Sequence, residues 1–162
     1  MSDLAGVVER LRADEADGSL ADLCVRLGVD LLVLFGSAVD DPSAAGDIDL
    51  AYGRLRGGPN VSHLDVVNAL GERYGDRVDV MSLDDAGSVA RYEALHGVDV
   101  LVELTPGRYA NAQMAAFGEY CDTQRFRDRA LEVLRRRGYD GERHRARQFS
   151  LDDFDRNDLI VA

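Results

Sequence analysis

The stretch LLVLFGSAVDDPSAAGDIDLAYG, Leu31 to Gly53, decides how this chain is read. An apolar strand runs into Gly36-Ser37, and after nine intervening residues Asp47-Ile48-Asp49 opens a second apolar run. Side chains alternate along a strand, so aspartates two apart point to one face. Like charges that close raise a pKa unless a cation neutralises them. Oxygen-only ligands suit Mg²⁺, which takes one or two protein carboxylates together with substrate phosphates. The Gly36-Ser37 turn offers backbone N–H groups and a hydroxyl to an anion. Together these parts describe a site for a nucleoside triphosphate and its metal.

Strand, G-S, spacer and D-x-D resemble the DNA polymerase β-type nucleotidyltransferases, which carry a third carboxylate on a neighbouring strand. Asp79, in Arg77-Val78-Asp79-Val80-Met81, is the candidate for it, although Asp30 and Asp99 stand in similar V-D-V/L contexts. The short chain and its helical C-terminal part resemble most the minimal nucleotidyltransferases that act as antitoxins to HEPN toxins. The motifs carry the resemblance from about Val29 to Leu104, and helical pattern alone extends it to about Arg137.

That resemblance implies an enzyme using Mg²⁺ and ATP. Gly36 and Ser37 would bind the nucleotide, and Asp47, Asp49 and Asp79 would be the catalytic, metal-holding carboxylates. It implies transfer of AMP to a tyrosine hydroxyl of a partner HEPN toxin. Two rivals share the fold: an antitoxin acting by binding alone, and an enzyme modifying a small molecule. The chain departs from the antitoxin pattern after Gly36-Ser37, where Ala38-Val39-Asp40-Asp41 stands in place of a basic residue. Arg54, Arg56 and Arg77 are the candidates to offset that charge.

Length and composition fit one ordinary globular domain, at 162 residues with 46% hydrophobic and 30% charged. No apolar run nears the roughly 20 residues that span a bilayer, and Met1-Ser2-Asp3 does not begin a signal peptide, so a cytoplasmic protein is expected. Cys24 and Cys121 are too few and too far apart for a disulfide framework. A net charge of −11 argues against direct nucleic-acid binding. Every basic side chain is arginine, and nine of the 19 fall between Arg125 and Arg147. Arg137 and His144 are spaced as in HEPN ribonucleases, but Ala146 stands where their tyrosine would follow, so no nuclease site is expected.

The periodicity predicts helices at 3–15 and from Ser19, as N-cap, to Gly28, then strands at 29–35 and 47–52. Ser62 and Asp65 read as a capping pair for a helix ending near Gly75. A strand at 77–81, a helix at 85–96 and a strand at Val98–Leu104 follow. The longest helix is expected from Thr105, as N-cap, to Gly138, with Met114, Phe117, Cys121, Leu131 and Leu134 as its apolar residues. Strands mixed with helices, without a βαβ repeat, give α+β: a polymerase β palm-like mixed sheet flanked by helices, with a long C-terminal helix. Residues 1–140 form the domain and 141–162 a charged tail.

Overall fold

The computed structural model describes residues 4–138. The tail from 141 onward, with His144, and Tyr139 lie outside them. The chain divides into two compact units that part between Thr123 and Gln124.

The first unit is built on β1 (Val29–Phe35), β2 (Ile48–Arg54), β3 (Val78–Ser82) and β4 (Asp99–Glu103). They form one mixed sheet in the order β3-β2-β1-β4. β1 runs antiparallel to both β2 and β4, and β2 runs parallel to β3. Both faces of the sheet are covered, which is why β1 reads as a continuous apolar run and does not alternate. Leu32, Leu34, Leu50 and Tyr52 face α1 (Leu4–Ala16), α2 (Ser19–Arg26) and α4 (His63–Tyr74), which contribute Leu11, Leu20, Leu70 and Tyr74 to the larger core. Leu31, Val33 and Ala51 face the opposite way, toward Leu95 beyond α5 (Ser88–Glu93) and Ala116 of α6 (Arg108–Asp122).

Several helix signals act as the sequence predicts. Ser62 accepts the Asp65 N–H while Asp65 accepts the Ser62 N–H, a complete capping box. Gly28, at φ 63, takes the left-handed position after α2. Ser19 differs: it is the first helical residue, preceded by Gly18 as N-cap, and its N–H bonds to the Asp17 carboxylate. Its hydroxyl instead accepts from Arg73, which ties α2 to α4.

The expected helix from Thr105 to Gly138 is two helices, α6 and α7 (Gln124–Arg136). Its start moves to Arg108 because Gly107, at φ 80, closes a turn in which the Arg108 N–H reaches the Thr105 carbonyl. It stops at Thr123, whose hydroxyl bonds back to the Glu119 and Tyr120 carbonyls. α6 buries small residues, Ala116 with Ala112 partly covered, and leaves Met114 and Phe117 exposed. α7 buries none of its residues. Among the described residues no helix is long and apolar enough to cross a membrane.

Candidate functional site

Alternation along β2 turns Ile48, Leu50 and Tyr52 into the larger core and aims Asp49 at the opposite face. In the parallel pairing of β2 with β3, Asp49 stands beside Asp79, and Asp47 precedes β2 on the same face. One carboxylate oxygen from each of Asp47, Asp49 and Asp79 lies within 4.8 Å of the other two. Asp30 and Asp99, the rivals for the third place, lie elsewhere. Asp30 pairs with Arg108, and Asp99 with Arg12.

Asp49 is partly buried, whereas Asp47 and Asp79 are exposed. Burial pushes the Asp49 carboxyl above the ordinary carboxylate range, and the charges of Asp47 and then Asp79 push it further. Among the described residues, no arginine forms an ion pair with any of the three. An uncompensated set of hard oxygen donors at this separation suits a divalent cation of the Mg²⁺ kind.

β1 delivers Gly36 and Ser37 to the same end of the sheet, since Phe35 is the register partner of Asp49. Gly36 has φ 74 and ψ −159, and a Cβ there would lie 2.4 Å from Asp49 Oδ2. The turn therefore packs on the carboxylate with only a hydrogen between them. Ser37 is exposed and opens the one-turn helix α3 (Ser37–Asp40), anchored by buried Ala38.

The acidic residues after Ser37 play unequal parts. Asp41 Oδ1 accepts the Ser43 and Ala44 N–H groups and the Ser43 hydroxyl, which shapes the loop toward Asp47. The Ser43 hydroxyl bond is the foremost reason that the Asp41 carboxyl is held below its ordinary range. Of the three arginines considered as offsets, Arg77 is at the site: its guanidinium donates to the Gly46 carbonyl, next to Asp47. The Arg77 carbonyl also accepts the Ile48 N–H at 2.9 Å, so Asp47 is held from both sides by one residue. Arg54 and Arg56 do not serve there. Arg54 pairs with Val29 at the other end of β2, roughly 17 Å from Asp49 at about 3.3 Å per residue. Sequence reasoning had no means to rank these arginines, because it lacked the β2–β3 register.

This sheet and its helices have the fold of the minimal nucleotidyltransferases. Three chains of solved toxin–antitoxin structures are among those this chain is similar to. One is a toxin–antitoxin with AMP-PNP, at 19% identity and TM-score 0.60, covering 75% of this chain and 96% of that one. Another is the tri-AMPylated Shewanella oneidensis HEPN toxin in complex with its MNT antitoxin, at 18% identity and TM-score 0.58, covering 76% and 98%. The third is the toxin–antitoxin MntA–HepT, at 18% identity and TM-score 0.57, covering 77% and 97%. No family model and no curated protein matches the chain.

Proposed function

We propose that this chain is a nucleotidyltransferase antitoxin that transfers AMP from ATP to a tyrosine hydroxyl of a partner HEPN toxin and so neutralises it. The observation that carries the reading is the meeting of Asp47, Asp49 and Asp79 within 4.8 Å beside the Gly36-Ser37 turn. It is supported by likeness to solved toxin–antitoxin structures, one with AMP-PNP and one with an AMPylated toxin.

The three aspartates would hold Mg²⁺, which when bound would stabilise the leaving pyrophosphate and acidify the attacking hydroxyl. Gly36 and Ser37 would receive the triphosphate through the backbone N–H groups of the turn and the exposed Ser37 hydroxyl. Asp79, which is exposed, would complete the metal site or take the hydroxyl proton. The acceptor oxygen would bond to the α-phosphorus as the bond to pyrophosphate breaks, leaving an AMP ester and free pyrophosphate. Arg77 would keep Asp47 in place through Gly46.

The expected result in calorimetry is saturable ATP binding that requires Mg²⁺ and is lost in Asp47→Asn. Equal ATP affinity with and without the metal, in both proteins, would overturn the assignment of the site.

A further inference from the structure

A cleft lies at the other end of the sheet. β1 and β2 lose register between Val29 and Leu31, which leaves Asp30 in a bulge. Bulges re-aim a side chain out of the ordinary alternation. Asp30 is 4% exposed on a strand otherwise lined with apolar residues. Its Oδ1 accepts the Thr105 N–H at 3.0 Å, and its Oδ2 lies 3.4 Å from Arg108 Nε. A buried ion pair is weak grounds for stability, since well-packed apolar residues commonly do as well. What the pair achieves here is orientation: Asp30 holds the Nε edge of Arg108, and Nη2 lies 4.0 Å from Asp84 Oδ1. Gly53 completes the arrangement, because a Cβ there would stand 2.8 Å from Arg108 Nη2.

Arg108 shares with Arg54 and Arg56 a cleft of about 840 Å³, bordered also by Leu55, Thr105 and Asn111. Residues 1–123 carry nine arginines against 22 acidic residues, yet three of those nine converge on this cleft. Arg54 is committed to the Val61 carbonyl and Tyr52, whereas Arg56 is exposed and in no ion pair among the described residues. Asp30 and Asp84 offset two of the three charges, so the cleft is locally cationic on an acidic body. Arginine forks match carboxylate and phosphate oxygens in paired hydrogen bonds. A cleft of this volume falls within the range of small-molecule sites.

We infer that the cleft between Arg56 and Arg108 binds a small molecule bearing a carboxylate or phosphate group, at a site separate from the Asp47/Asp49/Asp79 cluster. The test is an amide NMR titration of the full chain with inorganic phosphate and, separately, with succinate. EDTA is present throughout to keep divalent metals from the acidic cluster. Saturable shifts at Gly53, Thr105, Arg108 and Asn111 are expected, and the probe that saturates at lower concentration names the oxyanion. Arg56→Ala should weaken binding by about tenfold or more. Because Arg108→Gln alone would strand Asp30, the charge-neutral pair Asp30→Asn/Arg108→Gln serves as the second variant, and it should abolish saturation. Non-saturating shifts, equal affinity in Arg56→Ala, or shifts centred on Gly36 and Ser37 would overturn the inference.

Discussion

Replacing Gly36 by alanine tests the local geometry of the candidate site most sharply, because two separable costs meet there. The first is conformational. At φ 74 and ψ −159 the backbone occupies a region open essentially to glycine alone, and a side chain there costs about 1–3 kcal/mol. The second is steric. The new Cβ would lie 2.4 Å from Asp49 Oδ2, where ordinary contact begins at 3.4 Å, so the carboxylate must retreat by about 1 Å. Overpacking of this kind costs about 1–3 kcal/mol. Guanidinium denaturation followed by circular dichroism should show a loss of about 2–6 kcal/mol for Gly36→Ala. The Asp49→Ala background removes the oxygen that clashes, so there the same substitution should cost only the conformational part. A double-mutant cycle would report the difference as a coupling of about 1 kcal/mol or more. Displacement of Asp49 should also weaken Mn²⁺ binding, read by electron paramagnetic resonance. A loss under about 0.5 kcal/mol with Mn²⁺ affinity unchanged would refute the reasoning.

Three further outcomes are expected. Asp14 accepts from Arg73 at 2.8 Å and from the Tyr74 hydroxyl at 2.7 Å, and these bonds hold its carboxyl below the ordinary range. Asp14→Asn should therefore cost about 1–3 kcal/mol at pH 7 in urea denaturation, and the gap to wild type should close as pH falls below about 4. A gap independent of pH would contradict this. Asp49 has the opposite sign: its raised pKa means that the metal-free fold loses stability as pH rises from about 4 to the raised value, and carries the whole penalty above it. In EDTA at pH 7, Asp49→Asn should melt higher than wild type, whereas added Mg²⁺ should raise the melting temperature of wild type alone; the reverse order in EDTA would exclude like-charge crowding. Burial pushes the Cys24 thiol up to about 12, while Cys121 is exposed. Ellman's reagent should thus titrate one thiol in the folded protein and two in denaturant, and two rapid equivalents without denaturant would disprove the burial of Cys24.

Much of this was legible in the sequence where a local rule had a single solution. The capping pair Ser62 and Asp65, the apolar run of β1 and the two-residue spacing of Asp47 and Asp49 each fix a local geometry. The meeting of Asp79 with Asp49 was harder, because it depends on the parallel register of β3, and V-D-V contexts recur at Asp30 and Asp99. The break between α6 and α7 was missed because Thr123 keeps helical backbone angles while its hydroxyl turns back on the preceding carbonyls. The role of Arg77 and the bulge at Asp30 follow from strand pairing, which no residue type announces.

The most direct test of the central claim is the intact mass of the adjacent gene's protein after incubation with this chain, ATP and Mg²⁺. Asp47→Asn and Asp49→Asn serve as controls. A gain of one or more AMP masses, absent with either variant, is the result that nucleotidyl transfer predicts. An unchanged mass, with the two proteins still forming a stable complex, would contradict it and leave neutralisation by binding as the better account.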